Sequence, residues 1–450
     1  MPARGVQFSH PNETMEPALS LAEPDKFLQS RRVSYLLGDS RVMHRAVSRL
    51  RPVFYGLVLT LAQIALAVFL IAPEGPLSYQ YRTLIQHDSY WFMNIIDRGY
   101  QTIVPPINHK VMEVSNVGFF PAYPAIASLL HYVFGLDTHE ALLITAQAAA
   151  WGFWSYFFLF CERWNLPPSL QFFGALSIVA HPAAFFLVAG YSESLFLMTL
   201  VGFIYWSGAD GRMAKVWAAL HGIAMSATRV VGIPCAGYPV LQRILEKGWS
   251  GLRAPRAWFR NYGSAIALTA VSILGAGLFF IYCQLRWGRW NIYMLTQAIC
   301  WGIEPDYLAV FKPSSYRWLI PALNDPTEVS QMSMTIGALL LVGVALCELI
   351  PGIRRRVGWS MRVAIYFCAA ITYYISVSGV ASIDMESMLR YEFCAHALIV
   401  LAFLHFLRQF RVRPVALRAL GMAAVALGCA AGLSLQGWCL WNFTRGNWVA

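Results

Sequence analysis

The chain has 450 residues, of which 58% are hydrophobic, 14% aromatic and only 13% charged, and its mean hydropathy is +0.51. This composition excludes an ordinary soluble domain and predicts an all-α polytopic membrane protein. The net charge of +11 does not indicate nucleic acid binding, because Lys and Arg occur in short clusters between apolar segments, without the interleaved aromatic residues of a stacking groove.

The first 50 residues mix Pro, Glu and Arg and are predicted to form a cytoplasmic N-terminal arm, and residues 51–450 form the helical membrane domain. A spanning helix needs roughly 20 apolar residues. Seven segments meet this need: Phe54–Ala72, Ala141–Cys161, Gly263–Cys283, Met334–Ile350, Ala364–Ser378, Leu389–Phe406 and Ala416–Leu435. Shorter segments predict three or four more spans: Phe172–Val188, Ser194–Ser207, Val216–Thr228 and Gly232–Leu245. They are broken by His181-Pro182, Tyr191-Ser192-Glu193 and Arg229. We therefore expect about 11 transmembrane helices.

Basic clusters orient these helices, because short translocated loops are poor in Lys and Arg. All the clusters fall on the cytoplasmic side if the N-terminus is inside and Phe119–Leu136 does not cross; they are Arg41–Arg51, Arg212 with Lys215, Arg243–Arg260, Arg354–Arg362 and Arg408–Arg418. The length and Pro-rich start of Phe119–Leu136 suit an interfacial or re-entrant helix. The topology predicts a large first outer loop, 74–138, carrying juxtamembrane helices, and a second long outer loop, 284–330.

Polar and ionisable residues then collect on the outer face, in the segments 87–100, 119–124, 181–194, 284–330 and 379–390. Arg229 approaches this face from below, at the end of an apolar segment. An Arg in such a segment costs several kcal/mol unless it is paired or faces a polar cavity. Clustering of this kind predicts an active site at the membrane–water boundary, whereas helix packing alone predicts no such clustering.

Several short motifs, in this order and spacing, resemble the PIG-V-like mannosyltransferases of the GT-C superfamily of polytopic glycosyltransferases. They are His87-Asp88 with Tyr90-Trp91 and Arg98-Gly99-Tyr100; Phe119-Phe120-Pro121-Ala122-Tyr123-Pro124; His181-Pro182-Ala183 with Tyr191-Ser192-Glu193-Ser194; Ala227-Thr228-Arg229; Gln297 with Trp301; and Gly446-Asn447-Trp448-Val449. The resemblance covers most of the chain. It departs from the family at His87, where the family usually has Trp.

The resemblance implies an inverting hexosyltransferase, with mannose as the expected sugar, that uses a polyprenyl-phosphate donor and a glycolipid or glycan acceptor on the non-cytoplasmic face. Asp88 is then the catalytic carboxylate, since one base must orient and deprotonate the acceptor hydroxyl. Arg229 or Arg390 would stabilise the leaving phosphate. The full set of expected substrate-binding residues is His87, Tyr191, Glu193, Arg229, Gln297, Trp301 and Arg390. No cofactor is expected; a divalent metal is left open, because Asp88 with Glu193 could hold one.

Each candidate also has a structural explanation. Asp88 could cap the helix that follows it, and Glu193 could be a cap or a first-turn acid. Arg229 could form a structural ion pair, and Arg390 could snorkel to the interface. His87 could be a plain loop residue. For Asp384 and Glu386 a solvated loop is the preferred interpretation, and for Trp301 and the neighbouring aromatic residues an interfacial belt is preferred.

Two other functional classes fit parts of the sequence. A transporter or flippase of lipid-linked or polar substrates would also use interrupted helices and a membrane-embedded Arg, but no internal repeat is present. A non-catalytic partner subunit would keep the fold, and His87 is the feature that suggests it. Compact loops favour a bacterial inner membrane over the endoplasmic reticulum, and besides substrates the expected partners are membrane lipids, not nucleic acid.

Overall fold

A computed structural model describes residues 50–103, 115–248, 255–317, 325–350, 359–408 and 415–449. The chain divides into the units Met1–Arg51 and Pro52–Ala450, and nearly all described residues belong to the second. Within these ranges the regular structure is helical, with one isolated antiparallel bridge between Thr102 and Ser115. Residues 1–49 of the predicted N-terminal arm, and parts of four of the basic clusters, lie outside the described residues.

Sixteen α-helices are numbered here along the described chain. They are α1 Leu50–Ile71, α2 Leu77–Arg82, α3 Asp88–Arg98, α4 Ala122–Phe134, α5 Thr138–Arg163, α6 Pro168–Val179, α7 Glu193–Ser207, α8 Arg212–Ser226, α9 Gly232–Cys235, α10 Tyr238–Lys247, α11 Pro255–Trp287, α12 Ile292–Trp301, α13 Pro326–Leu349, α14 Trp359–Val380, α15 Met388–Leu407 and α16 Val415–Phe443. A 3-10 turn, Ala184–Leu187, lies between α6 and α7.

Seven described helices, α1, α5, α11, α13, α14, α15 and α16, are long and apolar enough to cross a membrane, and they coincide with the seven segments predicted from hydropathy. Four shorter apolar helices of 10–17 residues, α4, α6, α7 and α12, accompany them. Many large apolar side chains on the long helices are exposed, such as Leu278 on α11 and Leu339 on α13, as expected of lipid-facing surfaces. The chain is an all-α integral membrane protein; the count of eleven spans stays a prediction.

Two of the shorter predicted segments are interrupted. Phe172–Val188 breaks at His181-Pro182 as the sequence predicts, because α6 ends at Val179 and the 3-10 turn Ala184–Leu187 follows. A proline disfavours helical geometry at the residue before it and has no N–H of its own, which explains the break. The segment Gly232–Leu245 is likewise split, into α9 and α10, around Ala236 and Gly237.

The segment Phe119–Leu136 contains α4, a helix of 13 residues. At 1.5 Å per residue such a helix is about 20 Å long, which is shorter than the hydrocarbon core of a bilayer at about 30 Å. Its last turns carry exposed apolar side chains, among them Tyr132, Val133 and Phe134. The length agrees with an interfacial rather than a spanning helix.

Helix α15 is the most enclosed of the long helices, with 78% of its most apolar window buried, against 11% for α16. It packs against α13, α14 and α6. Helices α5, α7, α8 and α11 form a second packed series, and α3 rests on α4 and α5. The polar groups of the candidate site project from the ends of α3, α7, α8 and α15.

Close helix contact fixes the position of α8. A Cβ added at Gly275 on α11 would lie 2.0 Å from the carbonyl oxygen of Ile223 on α8, and Ser226 donates a hydrogen bond of 2.6 Å to the Ser272 carbonyl. Small residues let two membrane helices approach closely enough for such contacts. The C-terminal end of α8, just before Arg229, is thereby held against α11.

Candidate active site

Asp88 is the first residue of α3, and the turn before it is tied to the segment before α7. Ser89 Oγ donates a hydrogen bond of 2.9 Å to the Gly190 carbonyl, and the Tyr191 hydroxyl donates one of 3.2 Å to the Gln86 carbonyl. His87 has φ +48°, a conformation that a non-glycine residue seldom adopts. This sharp turn connects α2 to α3 and sets the position of the Asp88 carboxylate.

Two carboxylates and two guanidinium groups form one continuous ion-pair chain. Arg390 Nη1 lies 2.5 Å from Asp88 Oδ2, and Arg390 Nε lies 3.2 Å from Glu193 Oε1. Arg229 Nη1 lies 2.9 Å from the same Glu193 oxygen. The order Asp88, Arg390, Glu193, Arg229 alternates in charge and joins the start of α3, the start of α7, the end of α8 and the first turn of α15.

Exposure differs sharply along this chain. The side chains of Glu193 and Arg390 are 1% and 4% exposed, whereas those of Arg229 and Asp88 are 16% and 20% exposed. A buried ion pair is held in place by the cost of leaving either charge alone in an apolar medium. The inner pair therefore forms the base of the site, and the two outer groups are the ones that a ligand can reach.

Aromatic rings enclose the guanidinium groups. The centre of the Arg390 guanidinium lies 4.9 Å from the Tyr391 ring centroid and 5.1 Å from that of Tyr191, and Arg229 lies 4.8 Å from Tyr391. The Tyr391 hydroxyl also accepts a hydrogen bond of 3.2 Å from Arg390. Burial raises the pKa of Tyr191 well above its ordinary value. Tyr191 is thus a neutral donor and a stacking surface, and it is not a candidate base.

These contacts test the structural explanations. The capping interpretation of Asp88 is wrong: His87 occupies the N-cap position, and the Asp88 carboxylate binds Arg390. Glu193 is a first-turn acid, but its carboxylate also binds two arginines. Snorkelling is wrong for Arg390, because its side chain is buried.

His87 faces away from the ion-pair chain. Its Nε2 lies 3.1 Å from the Asn447 carbonyl oxygen, and its ring packs edge-on against Trp448 at 4.9 Å between centroids. The residues Asn447 and Trp448 belong to the C-terminal motif singled out in the sequence. The structure therefore joins that motif to the turn before α3, and it places His87 as a support of this turn beside Asp88.

Gln297 and Trp301 lie in a separate aromatic cluster. Gln297 donates a hydrogen bond of 2.8 Å to the Gly118 carbonyl, and Trp301 packs against Trp91 and Phe119 at 5.3 and 5.7 Å between ring centroids. Trp91 is one helical turn after Asp88 on α3. This cluster, Trp91, Phe119, Gln297 and Trp301, forms a wall next to Asp88.

Two residues near the site were missed in the sequence, Tyr293 and Tyr391, and a third, Glu386, was interpreted as part of a solvated loop. Tyr293 on α12 is close enough to Tyr391 and Arg229 to be affected by their charges, and its ring packs against Phe120 at 4.9 Å between centroids. Tyr391 lies between the two arginines, as described above. Glu386 lies close enough to Asp88 to be affected by its charge: partial burial and then Asp88 raise the pKa of Glu386, and Arg390 opposes the shift. The loop that carries Glu386 has positive φ at Asp384, Met385 and Ser387.

An open cavity of about 360 Å³ is lined in part by Gln86 and Tyr90, the residues on either side of His87, Asp88 and Ser89. Arg82, His139 and Arg445 contribute to its lining. Asp137 binds both Arg82 and His139, at 3.1 and 3.0 Å, so much of this basic charge is already neutralised.

The suggested cation pair, Asp88 with Glu193, is bridged by Arg390, whose positive charge occupies the space a metal would need. Among the described residues, a group of His and carboxylate side chains with mutually close ligand atoms is found instead at His181, Glu392 and His396.

No protein-family model matches the chain, and no curated protein sequence matches it. Among solved structures, the chain is similar to ArnT from Cupriavidus metallidurans bound to undecaprenyl phosphate, with 12% identity and a TM-score of 0.49, over 89% of this chain and 76% of that one. It is also similar to the archaeal oligosaccharyltransferase AglB from Archaeoglobus fulgidus in complex with an inhibitory peptide and a dolichol-phosphate, with 12% identity and a TM-score of 0.45. That match covers 88% of this chain and 56% of AglB.

Proposed function

We propose that this protein is a GT-C-type glycosyltransferase that moves a hexose, with mannose as the expected sugar, from a polyprenyl-phosphate donor to a glycolipid or glycan acceptor on the non-cytoplasmic face, with inversion. The observation that carries the proposal is the ion-pair chain from Asp88 to Arg229. Four segments distant in the sequence bring an accessible carboxylate and an accessible guanidinium to the two ends of a buried pair. The motif resemblance supports the same reaction.

Asp88 is the proposed general base. Its side chain is 20% exposed, and one of its oxygens is held by Arg390, which fixes the direction of the other. A base of this kind takes the proton of the acceptor hydroxyl as that oxygen attacks the anomeric carbon, and it contributes typically 10²- to 10⁴-fold in rate. A single carboxylate on the side opposite the leaving phosphate is what an inverting transfer needs.

Arg229 is the proposed phosphate-binding residue, because it is the more exposed guanidinium. It contacts Glu193 through one terminal nitrogen, and a guanidinium offers five N–H donors, so capacity is left for phosphate oxygens. The polyprenyl phosphate gains negative charge as it leaves, and a fixed cation in a partly dry site stabilises that charge. Arg390, being buried and bound to both acids, is the proposed positioning residue for Asp88 and Glu193.

The test is a transfer assay in proteoliposomes with a panel of radiolabelled polyprenyl-phosphate sugars and extracted membrane acceptors. Wild-type protein should transfer sugar from one donor, and Asp88→Asn should lower transfer by about 10²-fold or more. The matched control is Asp97→Asn, which removes an exposed acid of the same helix whose carboxylate accepts a hydrogen bond from Thr138; this variant should keep its activity.

Two outcomes would contradict the proposal. If the folded wild-type protein neither binds nor consumes any donor, a transporter or a non-catalytic subunit becomes the better account. If transfer occurs but survives in Asp88→Asn, the reaction stands and the base has been assigned to the wrong residue.

A further inference from the structure

A second polar cluster lies inside the helical core and is not used by the proposed reaction. Glu392 and His396 are four residues apart on α15 and so share a face of that helix. His181 approaches them from the turn after α6, with its Nε2 at 2.6 Å from Glu392 Oε2. Glu392 is only 1% exposed, and its ion-pair partners among the described residues are two histidines, with no Lys or Arg.

One side of this carboxylate is fully satisfied. The Ala183 N–H donates to His181 Nδ1 at 3.1 Å, so that nitrogen is the acceptor and Nε2 carries the proton. His181 Nε2 therefore donates to Glu392 Oε2, and the Ser333 hydroxyl donates to the same oxygen at 3.0 Å. These two donors fix the orientation of the carboxylate.

The other side of the carboxylate lacks a donor. His396 Nε2 lies 3.2 Å from the Ser177 carbonyl oxygen, which requires a proton on Nε2 and leaves a lone pair on Nδ1. That lone pair faces Glu392 Oε1 at 4.0 Å. Both atoms are buried, and neither has a hydrogen-bond partner in the described structure. Two facing acceptors in an apolar core are unfavourable unless something positive lies between them.

We propose that Glu392 Oε1 and His396 Nδ1 bind a divalent transition-metal ion, with zinc as the probe. Two ligand atoms on a tetrahedral zinc ion, each about 2.0–2.2 Å from the metal, lie about 3.3–3.6 Å apart, so the 4.0 Å gap needs to close by about half an ångström. The second shell is of the kind metal ligands have, because a carbonyl orients His396, and His181 and Ser333 orient Glu392. The ligand atoms of His181, Glu392 and His396 lie within 4.8 Å of one another, and His181 keeps its Nε2 proton and stays an orienting donor to Glu392, because its Nδ1 accepts from the Ala183 N–H.

Gly337 on α13 makes room for the Glu392 side chain. A Cβ at this position would lie 2.8 Å from both Cγ and Oε1 of Glu392, so the glycine lets the carboxylate lie directly against α13. A bound cation also compensates the Glu392 charge, which otherwise lies in a low-dielectric region without a fixed positive partner.

The test is the metal content and zinc affinity of the full-length protein, purified in detergent through a tag without histidine. Wild-type protein should hold about one zinc ion per chain after dialysis. Glu392→Gln and His396→Gln should each weaken zinc binding by about 100-fold or more, and His181→Gln by about 10- to 100-fold, the effect of losing an orienting partner.

The matched control is His405→Gln. His405 is a buried histidine of the same helix whose Nδ1 also lacks a partner, but it forms no ion pair with a carboxylate among the described residues. This variant should bind zinc as wild type does. Cobalt substitution adds a spectroscopic readout that depends on a nitrogen ligand, and thermal melting in detergent identifies variants that have not folded.

The proposal is overturned if folded wild-type protein binds no more zinc than His396→Gln, because the gap then holds a proton or a water molecule. It is also overturned if His405→Gln loses zinc to the same extent as His396→Gln. Neither result bears on sugar transfer, which is measured separately.

Discussion

Arg390 and Arg229 carry the same charge but have different surroundings. Arg390 is buried and holds both Asp88 and Glu193, so removing it leaves two carboxylates with one guanidinium. Breaking a buried pair in this way costs about 3–5 kcal/mol, because the remaining charge is uncompensated. Substitution of Arg390 is therefore expected to reduce stability, whereas substitution of Arg229 is expected to reduce substrate binding.

We predict that Arg390→Ala lowers the melting temperature sharply, whereas Arg229→Lys folds normally and raises KM for the donor. Lysine keeps the charge of Arg229 but loses the forked geometry that matches a phosphate. Thermal denaturation in detergent and initial-rate kinetics separate the two effects. Equal loss of stability in both variants would show that Arg229 is part of the scaffold alone.

Glu386 gives a prediction about pH. Its pKa is raised by burial and by Asp88, so the folded protein binds this proton more readily than the unfolded chain does. Stability from this group is therefore complete below the unfolded-state pKa of about 4.3 and is lost as the pH rises through the raised value. Glutamine does not titrate, so Glu386→Gln does not lose stability in this way as the pH rises. The melting temperature of Glu386→Gln relative to that of wild type should therefore increase from pH 4 to pH 8.

The double variant Asp88→Asn with Glu386→Gln checks the cause of this dependence. In the Asp88→Asn background, the advantage of Glu386→Gln at high pH should shrink, because the Asp88 charge no longer adds to burial in raising the pKa of Glu386. An unchanged advantage would assign the whole shift to burial.

Charged residues of the site could be predicted from the sequence because a charge in an apolar segment must find a partner or a polar cavity. That argument singled out Arg229, and the structure pairs it with Glu193. It could not identify the partner of Asp88, because Arg390 is 302 positions away in the sequence and no local pattern indicates a contact at that distance. Glu392 and His396 were missed for the same reason: on an apolar helix, two polar residues four apart also fit ordinary helix packing.

At the scale of elements, the ends of helices and the turns between them position the site. Gly118 lies in the turn before α4, where an added Cβ would be 2.6 and 2.9 Å from Trp301 ring atoms and 3.3 Å from Gln297 Nε2. Space for a side chain is therefore lacking at this turn. The same turn accepts the Gln297 hydrogen bond that holds α12 in place.

We predict that Gly118→Ala displaces Trp301 and α12 and costs about 1–3 kcal/mol, the usual range for overpacking. The expected kinetic result is a loss of donor or acceptor affinity larger than the loss of kcat, because Asp88 is not touched. Gly343→Ala on α13, where nothing lies within 4 Å of an added Cβ, is the control and should be neutral. If a folded Gly118→Ala protein bound donor and acceptor with normal affinity, the aromatic cluster would not be part of the binding site.

The seven long helices followed from hydropathy, since about 20 apolar residues have few alternatives to crossing a bilayer. The break at His181-Pro182 also followed from the sequence, because proline ends a helix whatever the hydropathy of its neighbours. The 3-10 form of the next turn, Ala184–Leu187, did not follow, because hydropathy does not distinguish a 3-10 turn from an α-helix.

At the scale of the whole molecule, the orientation in the membrane is a prediction that labelling can test. Exposed positions Gln101 and Glu304 lie on the predicted outer side, and Asp210 lies beyond the end of α7 opposite Glu193, on the predicted inner side. Single cysteines at Gln101 and Glu304 should react with an impermeant reagent on intact cells. A cysteine at Asp210 should react only after permeabilisation, and the opposite pattern would place the site in the cytoplasm.

The central claim is that Asp88 activates the acceptor in transfer from a polyprenyl-phosphate sugar. The most direct measurement is the release of polyprenyl phosphate from a labelled donor by wild type, Asp88→Asn and Asp97→Asn in the same proteoliposomes, with donor binding measured in parallel. We predict that all three proteins bind the donor. The rate of polyprenyl phosphate release should fall by about 10²-fold or more in Asp88→Asn and should be unchanged in Asp97→Asn. Equal release by wild type and Asp88→Asn, or no donor binding by any of them, would contradict the central claim.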